Sequence, residues 1–425
     1  MNKRACFIEA FPSRKLVFIL STNETGPPSS SITITPVCEK VDRLCEQMEQ
    51  SSSHAMLQLT LTPGLGPTLI RRCLEAMGSA EQILAATPQQ LAAIPGISAN
   101  KAGKFIASWQ DPTALQTELA LVEEHGVELL SIADERYPQS LKWINDPPPL
   151  LYVRGKLTEE DALGLAIVGA RKCTRYGREM ADRFAAGCSQ LGLTIISGGA
   201  YGIDTASHAA ALRVKGRTIA VIGSGLARPY PQPNIQLFDD IVASGGAVIS
   251  ELPMTTSPRP ENFPARNRII SGLSLGTLVI EAANRSGALI TARLAAEDHG
   301  REVMAVPGPV DSAMSAGCHR IIREGWASLV TSPTEVLENL GEAGQLLQAN
   351  AGTESKEQSI EQPSLFTANL TDSQVRIVEK LEGEMDLNAI ARATGLPMHT
   401  IQADLTMLEI RGVVSRQAGK YAKKR

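Results

Sequence analysis

Aromatic residues make up only 4% of this 425-residue chain, too few for a binding face built mainly on stacked bases. The seven cysteines are scattered with no C-x-x-C pair. That excludes a disulfide framework and a zinc ribbon, and it fits reduced thiols in a cytoplasm. No H-E-x-x-H occurs and the six histidines do not cluster, so no metal is expected. The chain has no G-x-x-x-x-G-K-[ST], which argues against a P-loop ATPase, and its first strand–helix loop lacks G-x-G-x-x-G, which argues against NAD. No cofactor is expected. The longest apolar run near the start, Leu16 to Leu20, is too short for a membrane span and lacks a cleavage pattern. With a net charge of −4, a nucleic-acid partner has to meet a local basic patch.

What is present divides the chain into segments. Residues 1–55 mix Ser, Pro, Thr and Cys without periodicity and read as a disordered or extra arm, with Met48 or Met56 as alternative starts. Residues 56–135 read as a small helical domain. In it Pro63-Gly64-Leu65-Gly66 and Pro95-Gly96-Ile97-Ser98 each precede an amphipathic helix, the pattern of a SAM/helix-hairpin-helix unit that turns backbone N–H groups toward a phosphate. Packing alone accounts for these turns equally well. From 136 to 340, after the Pro-rich Asp146-Pro147-Pro148-Pro149, near-continuous apolar strands alternate with helices. The strands are expected at 165–168, 193–196, 218–222, 247–250, 277–281 and 302–306, which implies a doubly wound, mostly parallel, Rossmann-like α/β sheet covered on both faces. Residues 341–370 read as a linker, and 371–425 as a winged helix with Met398–Ile410 as its recognition helix. The wing, 411–425, carries Arg411, Arg416, Lys420, Lys423, Lys424 and Arg425 without an acid, whereas the recognition helix carries Asp404 and Glu409. DNA contact and protein contact both fit that module.

Ligands of open α/β sheets lie at the carboxyl ends of the strands. There the loops are Gly-rich and polar: Gly169-Ala170-Arg171-Lys172, Ser197-Gly198-Gly199-Ala200-Tyr201-Gly202, Gly223-Ser224-Gly225-Leu226-Ala227-Arg228 and Asn284-Arg285-Ser286-Gly287. Each leads into a helix N-terminus, where orphan N–H groups favour an anion. Arg266-Asn267-Arg268 add two guanidiniums at the entrance of a further helix, where the macrodipole disfavours positive charge unless it meets an anion. One pocket with several phosphate sites follows. Asp204 reads as a helix cap, His208 as a packed residue, and Glu281 as the best acid/base group if the site performs chemistry.

The motifs Val168-Gly169-Ala170-Arg171, Ser197-Gly198-Gly199-Ala200-x-Gly202-Ile203-Asp204-x-x-x-His208, Gly225-Leu226-x-x-x-Tyr230-Pro231, Ser250-Glu251-x-Pro253, Phe263-Pro264-x-Arg266-Asn267-Arg268-Ile269-Ile270, Ser286-Gly287-x-Leu289-Ile290-Thr291 and Val306-Pro307-Gly308 together resemble the DNA-processing protein A (DprA/Smf) family. The resemblance extends over nearly everything after residue 56. It implies a non-enzymatic homodimer that binds single-stranded DNA and helps load the RecA recombinase during recombination and natural transformation. By position, it implies DNA-binding roles for Gly169, Arg171, Lys172, Ser197, Gly198, Gly199, Arg228, Arg266, Asn267, Arg268, Ser286 and Gly287. Two other classes remain open. A nucleotide phosphoribohydrolase would use Gly276-Thr277-x-x-x-Glu281, a shadow of its usual motif. A transcription regulator would use the winged helix, with the sheet as ligand sensor.

Overall fold

The structure, a computed structural model, describes residues 52–347 and most of 371–423. The arm before 52, the segment 348–370, Glu409, Arg411, Lys424 and Arg425 lie outside the described residues. Two compact units divide between Asn339 and Leu340.

The first unit opens with a helix earlier than the sequence implied. Residues 52–60 form α1, with Ala55, Met56 and Leu57 buried. There follow α2 (Pro67–Met77), α3 (Ala80–Leu84), α4 (Pro88–Ala92), α5 (Ala99–Gln110) and α6 (Thr113–Glu124). Pro at the first turn and a Thr87 capping box with Gln90 start α4, and Ser98 caps α5 through the Lys101 N–H, satisfying donors that a helix start leaves open. Ser98, the residue that breaks the second Gly-x-Gly, is therefore a cap.

The helical segment expected to run to 135 gives way to strand β1 (Val127–Ser131), which pairs antiparallel with β2 (Leu150–Gly155). β2 in turn lies antiparallel to β6 (Ala247–Ser250). The parallel part consists of β3 (Gly164–Val168), β4 (Thr194–Ser197), β5 (Thr218–Val221), β6, β7 (Gly276–Val279), β8 (Glu302–Ala305) and β9 (Ser328–Leu329). The nine strands run in the order β1-β2-β6-β5-β4-β3-β7-β8-β9. Successive strands thus step outward from β3 to β6, and the chain then returns to place β7 on the other flank of β3. The topological switch lies between β3 and β7, where open sheets carry their ligands.

Side chains alternate across this sheet. Leu151, Val153, Ile219 and Val221 enter one core. Leu150, Tyr152, Ala220 and Ile222 enter the other, together with Ile70, Ile83, Ile94 and Phe105 of the helical segment. The helical segment and the sheet share one apolar interior. Covering helices of the sheet are α8 (Arg175–Gln190), α9 (Ile203–Arg213), α10 (Ile235–Ala243), α11 (Asn262–Gly272), α12 (Ala288–Arg293) and α13 (Ala316–Arg323), with short α7 (Gln139–Lys142) before them and α14 (Pro333–Asn339) closing the unit.

In the second unit, residues 341–347 are helical (α15), so the linker expected from 341 begins as a helix. α16 (Asp372–Lys380) has a capping box of Thr371 and Gln374, and α17 (Leu387–Thr394) runs from the Asp386 cap to Gly395 at φ +68°. β10 (Val414–Gln417) and β11 (Lys420–Lys423) form the wing hairpin, and Met385 bridges to Tyr421. Ile377, Ile390, Ile401, Leu405, Leu408 and Val414 form its core. Asp404 of the expected recognition helix accepts a hydrogen bond from Gln374 Nε2 at 3.1 Å, so this acid is turned toward a neighbouring helix.

Candidate nucleic-acid interface

Three loops close on one another at the carboxyl ends of β3, β4 and β5. The first is held by Glu281, whose carboxylate oxygens accept the Thr174 N–H at 2.8 Å and the Thr174 hydroxyl at 2.7 Å. The same Thr174 hydroxyl accepts the Gly177 N–H and starts α8. A Cβ on Gly177 would come within 2.3 Å of Glu281 Oε2, so only glycine lets the helix come this close. Glu281 is buried with both oxygens engaged, which makes it an anchor of the loop and not a free acid or base. The second loop packs on the first: a Cβ on Gly202, which sits at φ +81°, would meet Ala170 O at 2.3 Å.

Beneath these loops lies a buried polar network. Arg266 is 4% exposed. Its Nη1 donates to Gly198 O at 2.6 Å and to Val221 O, tying the ends of β4 and β5 together. Asp204 faces it. Its Oδ2 accepts the Ala200 N–H at 3.3 Å, and the Gly198 N–H also supports the carboxylate. Burial raises the Asp204 carboxyl to about 6, although Arg266 and the two N–H groups pull it down. Burial likewise lowers the Arg266 guanidinium to about 10. At neutral pH both groups are charged. The Gly198 and Ala200 N–H groups at the start of α9 thus face the chain's own carboxylate. Gly199, at φ +61°, gives its carbonyl to Asn234 Nδ2 at 2.9 Å.

His208 completes this interior. Its Nδ1 lies 2.7 Å from Thr218 Oγ1, and that hydroxyl donates to Ile195 O. Nδ1 must therefore carry the proton. Burial, with Arg266 adding, pushes the imidazole down to about 3, so His208 is a neutral packed residue. Ser197 donates to Ile167 O at 2.6 Å and pins β4 to β3.

Arg268 points elsewhere. It bonds Glu251 at 2.5 and 2.7 Å and Asp146 at 2.9 Å, beside a separate cleft of about 330 Å³ that Asn145, Asp298 and His299 also line. The two guanidiniums of Arg266-Asn267-Arg268, expected to open on one anion site, enter two different internal networks, with Asn267 half-buried between them. Their anions are carboxylates of this chain.

The exposed cations are Arg171 and Lys172 on the first loop and Arg228 on the third. The Arg171 guanidinium lies 4.9 Å from the centre of the Phe263 ring, a cation–π distance. The Tyr230 ring lies tilted against Phe263 with 5.8 Å between ring centres, and Arg228 Nη1 donates to Ser257 Oγ at 3.1 Å. Gly223 leaves room for the Phe263 ring, which a Cβ there would meet at 2.9 Å. Tyr201 stands 41% exposed on the second loop. The rings of Phe263 and Tyr230 have no assigned role in the sequence reading; their only signal was an aromatic placed beside each polar motif. Gly169 packs on Ile203. Ser286 and Gly287 follow β7 on the far flank of β3, where the Ser286 hydroxyl accepts its own helix's Ala288 N–H.

Residues 128–341 match the family model described as DNA recombination-mediator protein A. The chain belongs to the DprA/Smf family. Flanking models agree with the fold: a SAM-like helix-hairpin-helix tandem matches 56–111 and a DprA winged helix domain 361–420. Protein Smf of Escherichia coli K12 is 36% identical over 334 residues, 78% of this chain and 86% of that protein. Protein Smf of Synechocystis is 34% identical over 408 residues, 89% of this chain and the whole of that protein. The crystal structure of DNA processing protein A from Streptococcus pneumoniae is 38% identical, with a TM-score of 0.59, and covers 67% of this chain and 97% of that one. In this DprA/Smf member, no group of three or more His, Cys, Asp or Glu among the described residues could hold a metal. No helix among them is long and apolar enough to cross a membrane.

Proposed function

We propose that the chain binds single-stranded DNA along the carboxyl ends of β3, β4 and β5 and, as a cytoplasmic homodimer, delivers it to the RecA recombinase. Arg171, Lys172 and Arg228 hold backbone phosphates, and Phe263, Tyr230 and Tyr201 offer ring faces to bases. Gly169, Ser197, Gly198, Gly199, Arg266, Asn267 and Arg268 keep the strand ends in register beneath them, and Ser286 and Gly287 extend the path past β7. The observation that carries the reading is the exposed Arg171 over the Phe263 ring, beside the loops that follow β3 and β5, in a chain of the recombination-mediator family. Guanidinium and ring side by side suit a strand whose phosphates and bases are both reachable. The engagement of both Glu281 oxygens by Thr174 speaks against a hydrolase at this site.

Fluorescence anisotropy with labelled oligothymidine and the matching duplex, across a salt series, tests this. Wild type should prefer the single strand, and Arg171→Ala should bind more weakly with a salt slope flatter by about 0.7, the value for one lost phosphate contact on a single strand. Preference for duplex, or indifference to the substitution, would remove DNA from this crevice.

A further inference from the structure

Glu118 is a buried acid in the middle of α6, 5% exposed, on the face of the helical segment that packs against the sheet. Its Oε1 accepts the backbone N–H of Met254 at 2.6 Å. Met254 is fully buried and its own carbonyl accepts the Ala227 N–H at 3.0 Å. Ala227 precedes Arg228. The same stretch holds the loop twice more: Gly225 N–H donates to Thr256 O at 2.9 Å, and Ser257 receives the Arg228 guanidinium. A Cβ on Gly225 would stand 2.2 Å from the carbonyls of Pro253 and Met254, so the two segments are in direct backbone contact. Tyr152 stands beside Glu118, and burial together with that carboxylate lifts its phenol above the ordinary range.

A polar group placed this deep costs free energy unless it is hydrogen-bonded. A hydrogen bond from a backbone N–H to a carboxylate is worth more than a neutral one. We infer that Glu118 is a positioning residue for the Arg228 loop: through Met254, the helical segment sets where the third loop presents its cation to DNA without touching the DNA itself. This rests on the proposed single-strand site, and the experiment separates the two.

Oligothymidine affinity and salt slope are measured for wild type, Arg228→Ala, Glu118→Ala, Glu118→Gln and the Glu118→Ala/Arg228→Ala double variant, with hydrogen exchange at the Ala227 amide in the free proteins. Arg228→Ala should weaken binding about tenfold and flatten the slope by about 0.7. Glu118→Ala should reproduce both effects, add nothing to Arg228→Ala in the double variant, and speed Ala227 exchange. Glu118→Gln keeps an acceptor and should restore wild-type behaviour, a rescue that loss of packing alone does not produce. If Glu118→Ala does not fold, Glu118→Met keeps the volume, lacks the acceptor and carries the same comparison. Wild-type binding, slope and Ala227 exchange in both the Ala and the Met variants would overturn the inference while leaving the DNA site standing. An unchanged Arg228→Ala alongside a weakened Arg171→Ala would overturn it too. Absence of single-strand binding by wild type would overturn the site as well.

Discussion

Replacing Arg266 by Met asks whether this guanidinium holds DNA or holds the fold. The side chain is 4% exposed, and its Nη1 bridges the Gly198 and Val221 carbonyls in front of the Asp204 carboxylate. Met fills much of the space but leaves both carbonyls without that donor and Asp204 without a facing cation. Breaking one side of a buried charge arrangement costs about 3–5 kcal/mol. At about 2–4 °C per kcal/mol for a unit of this size, the melting temperature should fall by about 10 °C. Affinity for oligothymidine should also fall, because the β4 and β5 loops lose their common tie. The salt slope should stay at the wild-type value, since no phosphate contact is removed. Arg171→Ala should do the reverse, leaving the melting temperature nearly unchanged and flattening the slope. Calorimetry and salt-series anisotropy on the two variants decide the matter. An Arg266→Met protein that melts like wild type and loses about 0.7 from its slope would refute the positioning argument and return Arg266 to the phosphates.

Gly198→Ala should be destabilising by about 1–3 kcal/mol, because the new Cβ would stand 2.6 Å from Arg266 Nη1 and 2.7 Å from Asp204 Oδ2; chemical denaturation measures this, and a neutral result would mean that the network yields. The pH response follows from Asp204 and His208 in the same buried network. The folded Asp204 value of about 6 lies above its ordinary 3.8, so its proton adds stability as pH falls through that window, by about 1.4 kcal/mol per unit. The folded His208 value of about 3 lies below 6.5, so stability is lost as pH falls from there, with a similar slope. Between about pH 6 and 4 the two nearly cancel. Urea unfolding across that range should show wild type gaining on Asp204→Asn as the pH drops, and a constant gap would contradict the assignment. Cys173 is the partly exposed thiol among the four described cysteines and sits two positions past Arg171; its alkylation should slow when oligothymidine is bound, and an unchanged rate would place the strand away from the first loop.

The sheet was largely legible because its strands are short apolar runs bounded by glycine-rich turns, and observed ends fall within a residue or two of the expected ones. β1 and β2 were not legible: Val127–Ser131 follows directly on a helix, and its antiparallel partner lies beyond a proline cluster, so no periodic alternation announced either strand. The exposure of Arg171, Lys172 and Arg228 could be read because loops at strand ends keep their charges in water. The burial of Arg266 and Arg268 could not be read, for the opposite reason. A guanidinium needs an anion, but the sequence does not say which one, and here the answers are Asp204, Glu251 and Asp146, far away along the chain. Asp204, expected to cap α9, stands instead within its first turn, with Gly202 at the cap position and no side-chain cap, and its carboxylate accepts the Ala200 N–H of the glycine loop.

The apolar interior that runs from Ile70, Ile83 and Phe105 into Tyr152, Ala220 and Val248 has an evolutionary and practical consequence. The helical segment is not a module that can be cut away or exchanged as a cassette. A chain begun at β1 would bare the apolar surface that the helical segment now covers, although Phe238 and Ile241 of α10 still pack on that side of the sheet, and bared apolar surface recruits other copies or a chaperone. Any lineage that lost the segment would have had to re-surface what it covered in the same steps, so shortened relatives should carry a more polar residue where this chain has Tyr152, which stands beside Glu118 of the segment.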